Sequence, residues 1–153
     1  MTLIGTGNIN AGGNALDNVI IGNTGSNVIN ASSGNDTIKG GGGIDFLTGA
    51  SGNDTFVFST LAESGPSSAQ RDRIIDFSPD DTIYLASIDA DALTSGNQAF
   101  VLDTNASFSA GEIRQTQFGD NLLLEMNTDA DGAAEMSILL LNSGLLSSDD
   151  FVL

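Results

Sequence analysis

The chain places its hydrophobic residues on two different schedules. From Gly13 to Val57 a large apolar side chain returns every ninth residue, at Ile20, Ile29, Ile38, Leu47 and Phe56. Each is the eighth residue of a nonapeptide, and the units run Gly13–Ile21, Gly22–Asn30, Ala31–Lys39, Gly40–Thr48 and Gly49–Val57. Six polar or small residues followed by three strand-forming ones predict a tight turn and a short strand whose middle residue points inward. Two units then close one coil, so that units n and n+2 stack on the same edge. After residue 57 the pattern changes to short alternating runs, which predict strands over Arg73–Phe77, Thr82–Leu85, Gln98–Leu102, Glu112–Thr116, Asn121–Met126 and Met136–Leu141. Turn clusters such as Ser78-Pro79-Asp80-Asp81 separate them, and Ser87–Leu93 reads as one helical turn capped by Ser87. The fold class is therefore all-β. A parallel β-roll (β-helix) of nonapeptide repeats is followed by strands that read as ordinary antiparallel β and cap and extend it. The two regions are residues 1–57 and 58–153.

The polar positions of the repeat carry the chemistry. Position 6 reads Asn18, Asn27, Asp36, Asp45 and Asp54, and position 4 reads Leu16, Gly25, Gly34, Gly43 and Gly52. Stacking of alternate units sets Asp36 over Asp54, with Asn18 beyond, and Asp45 against Asn27 on the opposite edge. Glycine lets the turn approach closely, so that its carbonyls converge. A carboxylate from each of two stacked turns plus those carbonyls makes an irregular cage of oxygen. Such a cage suits Ca²⁺ better than Mg²⁺, which holds a tighter octahedron and keeps its waters.

Composition narrows the alternatives. The 153 residues include 20 acidic and 4 basic ones, for a net charge of −16, with no Cys and no His. A disulfide framework, a thiolate nucleophile, an imidazole base and the usual zinc ligands are excluded. Four cations cannot neutralise a run of phosphates, so nucleic acid and anionic membrane are not expected partners, and no segment is long and apolar enough for a membrane span. No G-x-S-x-G elbow is present, and no carboxylate pair stands apart from the general acidity as a glycosidase pair would. The reading is a non-catalytic protein whose natural charged partners are cations.

Three further acidic groups qualify as oxygen donors. Asn127-Thr128-Asp129-Ala130-Asp131-Gly132 follows the spacing D-x-[DN]-x-[DN]-G with Asn in the first place, and Glu135 stands at its ninth position. The twelfth position is Ile138, which rules out an EF-hand. Asp72 and Asp76 bracket Ile74-Ile75, where local pairing with Arg71 or Arg73 is the simpler account. Glu63 lies eighteen residues after Asp45, where another coil would place a ligand.

The repeats resemble the RTX (haemolysin-type calcium-binding) family, whose consensus is G-G-x-G-x-D-x-U-x. The continuation is similar to the C-terminal domain of serralysin-type metalloproteases and other type I secreted proteins. That likeness is carried by Gly52-Asn-Asp-Thr-Phe-Val-Phe58, Arg71-Asp-Arg-Ile-Ile-Asp-Phe-Ser78, Asp81-Thr-Ile-Tyr-Leu85, Gly96-Asn-Gln-Ala-Phe100, Phe108-Ser-Ala-Gly-Glu-Ile-Arg114 and the Asn127–Met136 loop. The resemblance implies a right-handed roll and several Ca²⁺ ions held by Asp36, Asp45 and Asp54 with turn carbonyls at Gly34, Gly43 and Gly52. It implies a secreted bacterial module, expected to be a monomer, exported by type I secretion machinery through an uncleaved C-terminal signal. Asp150-Phe151-Val152-Leu153 has that signal's pattern of an acid followed by apolar residues. It also implies an upstream passenger. The alternative is a polysaccharide-binding accessory module of a secreted carbohydrate-active enzyme such as an alginate epimerase.

Overall fold

The computed structural model describes residues 1–103 and 107–153. The five nonapeptides each end in a three-residue strand: β2 (Val19–Ile21), β3 (Val28–Asn30), β4 (Thr37–Lys39), β5 (Phe46–Thr48) and β6 (Thr55–Val57), with β1 (Ala11–Gly12) before them. Alternate strands pair in parallel at an offset of eighteen residues. Ile20 lies beside Ile38 in one sheet, and Ile29 beside Leu47 in the other. The middle residue of every repeat strand points between the sheets, and Ile20, Ile29, Ile38, Leu47 and Phe56 are all buried. Their column forms one end of a single hydrophobic core that continues through Ile74, Ile83, Leu122, Leu124 and Ile138.

The stack does not stop at residue 57. Strand β7 (Asp72–Ile74) pairs in parallel with β5, and β8 (Thr82–Tyr84) pairs in parallel with β6. The offset is now 27 residues, as in Phe46 beside Arg73 and Thr55 beside Thr82. Nine extra residues, one repeat length, therefore lie between β6 and β7, and the ninefold frame survives the insertion. Among the described residues, antiparallel pairing is confined to β10 (Glu112–Phe118), β11 (Asn121–Asn127) and β12 (Met136–Leu140). Strand β12 returns to pair in parallel with β7, and β9 (Val101–Leu102) pairs in parallel with β10. The final strand, β13 (Phe151–Val152), pairs in parallel with β8. One sheet thus runs β1-β3-β5-β7-β12-β11-β10-β9 and the other β13-β8-β6-β4-β2.

The all-β expectation of a parallel roll extended by antiparallel strands holds. Two details differ. The strands expected over Arg73–Phe77 and Thr82–Leu85 are parallel members of the roll, because Asp72-Arg-Ile and Asp81-Thr-Ile keep its ninefold frame. The helical turn expected at Ser87–Leu93 is a set of non-helical turns. Asp91 Oδ1 accepts from the Leu93 N–H at 2.9 Å, and its Oδ2 from the Thr94 hydroxyl at 2.6 Å, a local side-chain closure that competes with helix. No helix among the described residues is long and apolar enough to cross a membrane.

Candidate metal centre

Position 6 of each repeat is the residue just before a strand, where the chain leaves the turn. Its side chain turns inward under the turn and forms a ladder along each edge of the roll. On one edge the Asn18 N–H donates to Asp36 Oδ1 at 2.7 Å, the Asp36 N–H to Asp54 Oδ1 at 2.8 Å, and the Asp54 N–H to Asp81 Oδ1 at 2.9 Å. On the other edge the Asn27 N–H donates to Asp45 Oδ1 at 2.7 Å, and the Asp45 N–H to Asp72 Oδ1 at 2.7 Å. The expected stacking of Asp36 on Asp54 and of Asn27 on Asp45 is therefore present. Asp72 and Asp81 extend the two ladders by one rung each.

One oxygen of each central carboxylate is used in this way and the other is not. Oδ2 of Asp36, Asp45, Asp54 and Asp72 is buried without a hydrogen-bond partner. A buried, unpaired carboxylate oxygen is costly unless a cation or a proton satisfies it. In the fourth and fifth repeats the glycine that opens the turn makes room beside it, whereas the third opens on Ala31. A Cβ built on Gly40 would lie 2.3 Å from Asp45 Oδ2, and one on Gly49 would lie 2.2 Å from Asp54 Oδ2. In the third to fifth repeats positions 2 and 4 are both left-handed: Ser32 and Gly34, Gly41 and Gly43, Ala50 and Gly52. The donor set is hard oxygen throughout and geometrically irregular, as a calcium ion accepts.

Burial acts on the ionisation of these groups. Desolvation pushes the Asp72 carboxyl up to about 8, against the hydrogen bond from the Asp45 N–H and with the added repulsion of Asp45 and Glu63. Asp45 is raised to about 6, chiefly by burial, with the Asn27 N–H opposing it and Glu63 reinforcing it. Asp54 is raised as well, mainly by burial. A carboxyl whose pKa is higher in the folded state than in the unfolded chain binds its proton more tightly when folded. Its contribution is fully present below about pH 4 and is lost as pH rises through 6 to 8. Calcium-free protein should accordingly be more stable at pH 5 than at pH 8, losing about 1.4 kcal/mol per pH unit for each group protonated only in the folded state. Urea unfolding midpoints in calcium-free buffer at the two pH values check this, and a higher midpoint at pH 8 would contradict it.

The other expected donors are placed differently. Asp76 Oδ1 accepts from the Gly49 N–H at 3.1 Å and its Oδ2 from the Ala50 N–H at 2.9 Å, so it anchors the fifth turn and stands outside the two ladders. Glu63 does not take the rung above Asp45, because the nine-residue insertion gives that place to Asp72. Glu63 instead pairs with Lys39 at 3.0 Å. Asp129, Asp131 and Glu135 come together in the β11–β12 connection, with carboxylate oxygens within 4.8 Å of one another. Asn127 is buried beside them, its amide donating to the Phe108 carbonyl and its Oδ1 accepting from the Asp129 N–H. Asp81 was not among the expected residues. Its signal was the tripeptide Asp-Thr-apolar, shared with Asp36-Thr-Ile and Asp54-Thr-Phe, in the same ninefold frame.

Residues 12–47 and 31–58 match the family model of the RTX calcium-binding nonapeptide repeat, in four copies. Residues 12–58 are RTX calcium-binding repeats. No curated protein matches the chain in sequence. Among solved structures, the chain is similar to the AlgE6R2 subunit of the Azotobacter vinelandii mannuronan C5-epimerase, with TM-score 0.65 and 23% identity over 95% of this chain and 91% of that one. It is also matched to the AlgE6R3 subunit of the same enzyme, with TM-score 0.46 and 24% identity over 92% and 80%. The extracellular lipase LipA from Serratia marcescens matches with TM-score 0.47 and 21% identity, over 92% of this chain and 20% of that one. The first of these establishes a likeness of fold between this chain and the epimerase subunit.

Proposed function

We propose that this RTX module is a calcium-gated folding unit and the non-catalytic C-terminal part of a type I secreted protein. Residues 1–57 supply the repeats of the roll, and residues 58–153 add its last parallel strands, β7 and β8, and then close it. The observation that carries the reading is the set of four buried, unpartnered carboxylate oxygens on stacked turns, at Asp36, Asp45, Asp54 and Asp72. These residues, with the carbonyls of Gly34, Gly43 and Gly52, are the ligands in this reading. The loop of Asn127, Asp129, Asp131 and Glu135 is a separate, more exposed oxygen cluster of the same chemistry. Asn18 and Asn27 hold the ligand position in the first coil, with carboxamides already engaged in their own turns. Bound calcium would supply positive charge to carboxylates that otherwise repel one another in a dry site.

The gating follows from mass action. A cation that binds only the folded chain stabilises it in proportion to its concentration. At low calcium the roll strands, three residues each, are weakly held, because four buried carboxyl oxygens lack partners. The acidic-then-apolar segment Asp150–Leu153 fits this order of events. Phe151 is buried in the folded chain and pairs with Ile83 of β8, so a receptor could read the segment only before folding. Circular dichroism of chelator-treated protein should show a weakened β signal that melts well below that of the calcium-loaded protein, with full signal on adding Ca²⁺. Unchanged β structure in chelator would sink the proposal. Polysaccharide binding has weaker support. A polyanionic glycan needs free cations, and of the four basic residues two are already in ion pairs, Lys39 with Glu63 and Arg114 with Glu125.

A further inference from the structure

The five repeats contain two kinds of turn, and the difference falls between the second and the third. In the Asp repeats positions 2 and 4 are left-handed and Oδ2 of position 6 is unpartnered. In the first two repeats none of Asn14, Leu16, Asn23 and Gly25 has a positive φ. The turn there is closed by asparagine instead. The Gly25 N–H donates to Asn23 Oδ1 at 2.8 Å, the Asn23 N–H to Asn27 Oδ1 at 3.0 Å, and Asn27 Nδ2 to Asn23 Oδ1 at 3.2 Å. The first repeat copies this arrangement. The Leu16 N–H donates to Asn14 Oδ1, the Asn14 N–H to Asn18 Oδ1, and Asn18 Nδ2 to both Asn14 Oδ1 and the Leu16 carbonyl.

We infer that in these two turns the carboxamide does the work of a cation. This rests on the calcium reading of the Asp turns. The amide Nδ2 is a donor aimed at oxygens of its own turn, in the first repeat including the Leu16 carbonyl, which is the kind of atom a cation would gather in the Asp turns. An NH₂ group can satisfy such acceptors without metal, whereas a carboxylate in the same position only adds another acceptor. The Asn at position 2 matters equally, because its Oδ1 takes the N–H of position 4 and holds that residue out of the left-handed region. This explains why Leu16 is tolerated where the later repeats need glycine: with φ negative, a β-carbon brings no backbone strain. In the second turn Asn27 is fully buried and Asn23 nearly so, which shelters its bonds from water, while those of the first turn are exposed. The first coil is thus a metal-independent end to the calcium stack, and the ions begin at the third repeat.

The test is a count of bound ions by calorimetric Ca²⁺ titration of the whole chain. Asn27→Ala should lower stability yet leave the number of ions bound at saturation unchanged. The double variant Asn23→Gly/Asn27→Asp copies the fourth repeat, where Gly41 precedes Asp45, and should bind one ion more than the parent. Loss of an ion in Asn27→Ala, or an unchanged count in the double variant, would overturn the inference while leaving calcium gating intact. A parent chain that binds no calcium would overturn both. Tryptic digestion at saturating calcium, with equal resistance required, checks that each variant is folded.

Discussion

Asp72→Asn should stabilise the calcium-free protein by on the order of 3 kcal/mol at pH 7, while reducing its response to calcium. Asp72 is fully buried, and its carboxyl is held at about 8 by desolvation and by the charges of Asp45 and Glu63. At neutral pH the folded chain must therefore keep a proton there that the unfolded chain releases, and that difference opposes folding. Asparagine has the same shape and keeps the Oδ1 that accepts from the Asp45 N–H at 2.7 Å. It removes the ionisation and with it the cost. For a domain of this size the gain corresponds to roughly 10 °C in melting temperature, taking about 2–4 °C per kcal/mol. The same substitution deletes the oxygen that is left unpartnered for a cation, so the calcium-induced rise in melting temperature should shrink and at least one ion should be lost. Asp76→Asn is the contrast. Both Asp76 oxygens already accept backbone N–H groups, and an amide can replace only one of them, so this variant should be less stable with or without calcium. Thermal melts of both variants in chelator and in excess Ca²⁺ decide the matter. A lower melting temperature for Asp72→Asn than for the parent in chelator would overturn the reading of Asp72 as a buried carboxyl that opposes folding.

How much of this was legible in the chain depends on where the period is intact. The apolar eighth position alone predicts the parallel stack, because no other arrangement buries Ile20, Ile29, Ile38, Leu47 and Phe56 together. The partner of each position-6 residue follows from the same count of eighteen. The reading weakens where nine residues are inserted before β7. There Arg71 and Arg73 flank Asp72 and suggest a local ion pair, and the alternating Arg73–Phe77 run looks like an ordinary sheet strand. Asp81 is hidden in the turn-like Ser78-Pro79-Asp80-Asp81. Both keep the frame of nine, but a period interrupted by its own length is visible only once the strands are seen to pair at 27. The two turn types were beyond the sequence for another reason. Asn at position 6 reads as a neutral, weaker version of Asp. Nothing in the one-letter pattern says that its amide finds acceptors inside its own turn, or that Ser32 and Ala50 adopt the left-handed conformation more often given to glycine.

The conversion of Gly49 to Ala should cost more than any other single methyl group added to the roll outside its backbone-crowded glycines. Its Cβ would stand 2.2 Å from Asp54 Oδ2 and 2.8 Å from Asp54 Cγ, far inside contact distance. Asp54 cannot retreat. Its Oδ1 is fixed by the Asp36 N–H, its own N–H is fixed by Asp81, and its side chain is enclosed. Either the ladder bond breaks or the turn opens, and overpacking of this kind costs about 1–3 kcal/mol, at times more. The larger effect is on calcium, because the methyl group would occupy the space beside the oxygen that needs a cation. The variant is therefore expected to lose most of its calcium-induced stabilisation as well as some intrinsic stability. Gly144→Ala is the matched control: a Cβ there meets nothing within 4 Å and the backbone is not left-handed, so its melting curve should superimpose on the parent's. Calcium titrations followed by circular dichroism would separate the two contributions. A Gly49→Ala protein that folds at the parent's calcium concentration would mean that the space beside Asp54 Oδ2 is not where the cation sits.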